Sequence, residues 1–236
     1  MILLALETTW EQAGVCLVAD QRLLCEERPG RHTLARDLVP WLGRMVAQAG
    51  LAPTDLGAVA VDIGPGSFTG TRIGVTTAKV LALALGIPLV GVPSLEVVAW
   101  QAHRLAGLPP TGSLLAVLPA YRQDFFVGQY RRDPSLPVPE PVGPYRVLPA
   151  GEVAELAQAL ARPLVLAGAA GRIEALGQVR VPGWHLLDET ATLPTAQAVA
   201  GLAAQRLEAG RTDDPLTLAP LYLRASAAEL AAGGQT

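Results

Sequence analysis

The stretch from Leu56 to Leu85 constrains this chain more than any other. An apolar run of strand length, Leu56 to Asp62, meets the glycine-rich segment GPGSFTGTRIG, Gly64 to Gly74, and then a helical pattern from about Gly70 to Leu85. A strand, a glycine turn and a helix in that order form the unit of a helix-covered sheet with parallel strands. At about 100° per residue, apolar or small side chains occupy almost the whole circumference of the helix. Gly70, Gly74, Ala78, Leu81 and Leu85 make one stripe, Ile73, Val80 and Ala84 cover much of another, and Arg72, Thr76 and Lys79 are the polar strip. Such a helix needs cover on two sides, and the sheet of its own half supplies one.

The elements around it read βββαβαβα: strands Ile2 to Leu6, Ala13 to Val18 and Arg22 to Arg28, a helix Thr33 to Gln48, the unit above, a strand Pro88 to Val92 and a helix from Ser94. After the Pro/Gly stretch Leu108 to Gly112 the order restarts more faintly. Strands Leu114 to Leu118 and Phe125 to Arg131 lead into a proline-rich excursion, Pro134 to Pro144, then helix Gly151 to Ala161, strand Leu164 to Ala167 and helix Thr195 to Glu208. Element order alone implies an ancient duplication. The expected division is an N-terminal lobe at 1–105, a second lobe at 106–215, and a tail at 216–228 that packs back on the first lobe.

Half of the 236 residues are hydrophobic but only 5% are aromatic, so Leu, Val and Ala must build the core. The net charge of -3 argues against a broad nucleic-acid surface of its own. Lys79 is the only lysine in an arginine-biased chain. The start lacks a basic n-region and a small-residue cleavage site, and no apolar run approaches the roughly 18 residues that span a bilayer, so a soluble cytoplasmic protein is expected. Cys16 and Cys25 could face each other across a hairpin turning at Asp20 and Gln21, but free thiols are the expected state.

The glycine loop can be read as an anion-binding loop through Gly64, Gly66, Ser67, Thr69 and Gly70, as a structural turn, or as a partner contact. Its spacing is neither G-x-x-x-x-G-K-[ST] nor G-x-G-x-x-G. His32, His103 and His185 form no H-x-x-x-H or H-E-x-x-H pair, and no G-x-S-x-G elbow is present, which argues against a metalloenzyme and a serine hydrolase. His32, beside Thr33 at a helix start, reads as a capping or interface residue. The helix Thr33 to Gln48 carries an apolar stripe wider than a core seam needs: Leu34, Ala35, Leu38, Val39, Trp41, Leu42, Met45, Val46 and Ala49, with Pro40 inside it. Burial beneath the second half could account for one of the two helices; covering both calls for another subunit. Trp41 is either core filler or an interface anchor.

These residues resemble the TsaB (YeaZ) family of the tRNA threonylcarbamoyladenosine system. The resemblance rests on strand one with Glu7-Thr8-Thr9, Arg31-His32-Thr33 before Leu38-Val39-Pro40, Asp62 with GPGSFTGTRIG, Ala78-Lys79, GIPLVGVPSLE from Gly86, and PLYLR, Pro220 to Arg224. It implies a duplicated actin-like (ASKHA, RNase H-like) α/β fold of two lobes, each with a mixed sheet and flanking helices. It further implies a non-catalytic subunit that binds and stabilises a TsaD-like catalytic subunit, which places threonylcarbamoyl on an adenosine of ANN-decoding tRNAs. The implied interface is a bundle of the two N-terminal helices, here His32, Leu34, Leu38, Trp41, Met45, Arg72, Ile73, Thr76, Thr77 and Val80. A TsaE-like ATPase is a further implied partner, tRNA is met indirectly, and the subunit alone forms a homodimer. The chain itself requires no cofactor, while the complex uses ATP and Mg.

Two segments depart from the family pattern. Glu7-Thr8-Thr9 replaces Asp-Thr-Ser, and Pro119-Ala120-Tyr121-Arg122 replaces an acidic, arginine-rich segment opening the second lobe. The competing readings are an actin-fold ATPase or sugar kinase acting alone, and a glycopeptidase-like protease.

Overall fold

The structure is a computed structural model and describes residues 1–10, 13–28, 34–120, 122–174, 176 and 181–223. Arg31, His32, Thr33, Tyr121, Arg224 and the rest of the expected tail lie outside them.

The first lobe runs β1 (Ile2–Glu7), β2 (Gly14–Ala19), β3 (Arg22–Glu27), α1 (Leu34–Gln48), β4 (Leu56–Asp62), α2 (Phe68–Leu85), β5 (Leu89–Val92) and α3 (Ser94–Arg104). Its sheet has the order β3-β2-β1-β4-β5. The β1–β2–β3 meander is antiparallel, whereas β4 and β5 join β1 in parallel. Asp20 and Gln21, at φ 48° and 65°, make the left-handed turn that matches the twist of a two-residue hairpin. β4 reads as a continuous apolar run because helices cover both of its faces.

The second lobe repeats this plan with β6 (Gly112–Pro119), β7 (Asp124–Arg132), β8 (Glu140–Pro141), β9 (Arg146–Pro149), α4 (Ala150–Ala159), β10 (Leu164–Gly168), β11 (Trp184–Leu186) and α5 (Ala196–Glu208). β9, β7 and β6 form the antiparallel part, and β10 and β11 continue it in parallel. The order β9-β7-β6-β10-β11 with these directions is the first sheet again, so the molecule has the duplicated actin-like α/β fold. β9 and β11 escape a reading of the sequence because they are short and only partly covered.

The two lobes exchange a helix. α5 follows the second sheet in sequence, yet its Ala198, Val199, Leu202 and Ala203 pack on Leu3, Ala5, Ala58 and Val90 of the first. α3 follows the first sheet, yet its Leu95, Val98 and Ala102 pack on Leu114, Ala116 and Val165 of the second. A boundary near residue 105 therefore separates the sheets but not the helices. Where α3 and α5 meet, Arg206 pairs with Glu96 and donates to the Gly91 carbonyl, and Tyr145 donates to the other Glu96 oxygen.

α1 and α2 cover the outer face of the first sheet. Leu34, Leu38, Leu42, Met45 and Val46 of α1 all lie in that core, so the first lobe's own sheet, not the second lobe, hides its stripe. Residues 213–223 return across the first lobe. Asp213 bridges to Leu89, Lys79 Nζ donates to the Leu218 carbonyl at 2.7 Å, and the Leu221 N–H donates to the Ile63 carbonyl at 2.7 Å. Cys16 and Cys25 are free; Cys16 packs under α5 and Cys25 on the opposite face of the sheet, since Cys25 pairs with Leu17 rather than Cys16.

Candidate functional site

The carboxyl ends of the adjacent parallel strands β1 and β4 carry Glu7 and Asp62, both fully buried. Glu7 Oε1 accepts from the Thr9 N–H at 2.7 Å, the Thr9 hydroxyl at 2.6 Å and the Trp10 N–H at 3.2 Å. Asp62 Oδ1 accepts from the Gly64 N–H at 2.8 Å and from the Ser94 hydroxyl at 2.6 Å. The second oxygens, Glu7 Oε2 and Asp62 Oδ2, have no hydrogen-bond partner. Burial, reinforced by the Asp62 charge, pushes the Glu7 carboxyl up to about 8. Burial likewise pushes Asp62 up to about 7, against the opposing pull of its Ser94 and Gly64 hydrogen bonds.

The glycine loop closes over this turn. The Ser67 N–H donates to the Thr9 carbonyl at 2.8 Å, Thr8 Oγ1 donates to the Gly70 carbonyl at 2.8 Å, and Ser67 caps α2 by accepting from the Gly70 N–H. A Cβ on Gly70 would collide with the Thr8 carbonyl, and one on Gly74 with the Thr8 hydroxyl, so α2 rides on the β1 turn at a distance only glycine permits. This corrects the anion-loop expectation for Gly64, Gly66, Ser67 and Gly70. The Gly64, Ser67 and Gly70 N–H groups are turned inward, and Gly66 lies against Thr9, in space a ligand would need. Thr69 is exposed.

The expected interface residues divide sharply. Leu34, Leu38 and Met45 are at most 3% exposed, so as contact side chains for a partner they are a misreading: their stripe is the seam of their own lobe. Trp41 is half-buried against the same cluster, which makes it the edge of that core. On α2, Ile73 and Thr77 are half-buried, while Arg72, Thr76 and Val80 are exposed. His32 lies outside the described residues. Leu83, 51% exposed beside 58% for Val80, joins the candidate surface although the sequence reading does not single it out; its spacing from Thr76 and Val80 places it on the same outer ridge. Equally hidden from the sequence is the cluster at the head of α2, where Tyr222 stacks on Phe68 at 5.1 Å and Arg72 lies over Phe68 at 4.0 Å while donating to the Tyr222 hydroxyl at 2.8 Å. No spacing rule links positions so far apart in the chain.

The Escherichia coli K12 protein named tRNA threonylcarbamoyladenosine biosynthesis protein TsaB is similar to this chain, 31% identical over 230 residues that make up 95% of each protein. The chain belongs to the TsaB family. The Bacillus subtilis 168 TsaB is 32% identical over 134 residues, 56% of each chain. A solved structure described as YeaZ from Pseudomonas aeruginosa superposes with a TM-score of 0.74 at 28% identity, covering 94% of this chain and 99% of the other. The family model described as TsaD, tRNA N6-adenosine threonylcarbamoyltransferase, matches residues 31–134. The turn after β1 is filled here by Thr8 and Thr9, which leaves the exposed outer ridge of α2 as the candidate surface.

Proposed function

We propose that this chain is a non-catalytic partner subunit in threonylcarbamoyladenosine biosynthesis on tRNA, and that it binds and stabilises a TsaD-like transferase subunit through the outer ridge of α2. The observation that carries this reading is the bare ridge itself. With the opposite side of α2 already packed in its own lobe, Val80 and Leu83 remain more than half exposed, and Val39 of α1 is 57% exposed. Membership in the TsaB family and the TsaD-type match over 31–134 support a TsaD-like partner, since related folds can pair through equivalent helices.

On this reading, a TsaE-like ATPase, ATP and Mg act elsewhere in the assembly, other subunits grip the tRNA, and the ridge pairs with a second copy when the partner is absent. The assembly works in the cytoplasm. The test is reconstitution with the TsaD-like subunit, a threonylcarbamoyl-adenylate source, ATP and tRNA. Modification is expected to depend on this chain, and full-rate modification without it rejects the reading. Val80→Arg or Leu83→Arg should abolish association by burying an unpaired charge; an unchanged complex mass in light scattering refutes the ridge. Tight Mg-ATP binding by the isolated chain in calorimetry would favour an ATPase instead.

A further inference from the structure

Among the described residues, no cationic side chain faces Glu7 or Asp62, the feature that normally keeps buried carboxylates ionised. The β1 turn contributes Thr8, Thr9 and Trp10, all neutral, and the loop after β4 contributes Ile63, Gly64, Pro65, Gly66 and Ser67, also neutral. From the first turn of α2, Arg72 points away to Phe68 and Tyr222 on the surface. From α3, Ser94 faces Asp62, while Glu96 is taken up by Arg206 and Tyr145. Among the described residues, the charge that faces Glu7 is therefore the Asp62 carboxylate.

Two like charges on adjacent strand ends, buried from solvent and facing no cationic side chain among the described residues, are far costlier than one charge and one neutral acid. One oxygen of each carboxyl is saturated by donors and the other has no partner. The Thr9 and Ser94 hydroxyls that donate to them lie 3.5 Å apart, which places the two saturated sides near each other. We propose that Glu7 and Asp62 are a dyad that binds one proton as a structural ligand, and that this proton holds closed the turn on which the head of α2 is seated. The glutamate has a specific part in this: its Oε1 reaches back to the Thr9 and Trp10 N–H groups while Oε2 remains as a site for the proton.

Linkage gives the sign. Below the ordinary carboxylate range the folded and unfolded chains both hold the proton. As pH rises, the unfolded chain releases the protons of both carboxyls first, while the folded dyad keeps the Asp62 proton to about 7 and the Glu7 proton to about 8, so stability falls across that window and levels off above it. Each retained proton makes the folding equilibrium constant fall about tenfold per pH unit.

The experiment is denaturant unfolding of the full chain and of Glu7→Gln between about pH 5.5 and about pH 9. The amide mimics the protonated acid, so the variant should lose the Glu7 share of this dependence, about tenfold per unit, keep the Asp62 share, and overtake the parent at the alkaline end. Histidine titrations are common to both proteins and cancel in the difference. Once the common base-catalysed rate is divided out, amide protection at Gly64 to Thr71 should fall more steeply with pH in the parent than in the variant. Should Glu7→Gln fail to fold, infrared spectra of the parent decide: a protonated-carboxyl band present near neutrality and lost in alkali, and lost at lower pH in Asp62→Asn, supports the dyad. Equal pH slopes in parent and variant overturn it, as does stabilisation of the parent in alkali by Na, K or Mg at constant ionic strength, which would place a cation there.

Discussion

Both lobes use one sheet plan, but they diverge immediately after the fourth strand. In the first lobe β4 leads through the glycine loop into the 18-residue α2, whereas in the second β10 leads into the 3₁₀ turn Ala169–Arg172. The outer helices differ as well: α1 anchors itself with Leu34, Leu38, Leu42, Met45 and Val46, and α4 with the smaller Val153, Ala154 and Ala157. The sheet can be duplicated because its register depends on local alternation and on burial. A helix bare on one side and seated on a strand turn needs a specific glycine loop, and among the described residues this occurs once. The difference concentrates the candidate interaction surface in the first lobe.

The sharpest way to break the comparison is at the glycines after strand four. Gly74→Val drives methyl groups into the Thr8 hydroxyl and is expected to cost about 3 kcal/mol or more in denaturant unfolding. Gly171→Ala in the second lobe, where a Cβ meets nothing within 4 Å, should stay within about 0.5 kcal/mol. Equal losses at the two positions would mean that α2 is not seated as described. Next come the helix anchors. Leu38→Ala leaves a cavity under α1 and should lower stability by about 2–5 kcal/mol, while Val153→Ala under α4 should cost about 2 kcal/mol.

Thr195→Ala removes the side-chain cap that accepts from the Ala198 N–H at the start of α5, and about 1 kcal/mol should be lost. Because α5 covers the first sheet, amide exchange should rise in β1 and β2 rather than in β6 and β7. The smallest effect on folding belongs to Val80→Ala, within about 0.5 kcal/mol by thermal or denaturant unfolding, since the side chain is already in solvent. That same residue should matter for association, and a core-sized folding loss at Val80 would remove the case for a bare ridge.

Much of the first lobe is legible in the sequence because its signals are local. Leu56 to Asp62 is a strand as read, α2 ends at Leu85 as read although it begins at Phe68 rather than about Gly70, and Asp20 and Gln21 turn the hairpin. The stripe on α1 is also legible, but its owner is not. Periodicity shows that Leu38 and Met45 share a face without showing which surface lies against it, so a core seam reads as an interface. The glycine loop misleads in the same way. Its composition permits an anion cradle, and only the approach of Thr8 and Thr9, from a strand far away in the chain, shows that the space is filled.

Sequence by itself determined the element order of the first lobe, the absence of any H-x-x-x-H pair or G-x-S-x-G elbow, and the family, because strand and helix periods, turns and short motifs are written in neighbouring residues. Tertiary structure alone decided the strand order and pairing with which the second sheet repeats the first, that α3 and α5 change places between the lobes, that Glu7 and Asp62 lie on adjacent strand ends without a counter-ion among the described residues, and which side of α2 stays bare. The physical reason is common to all four. Each depends on the surface that packs against a residue across a long sequence separation, and burial is a property of that partner surface as much as of the residue itself.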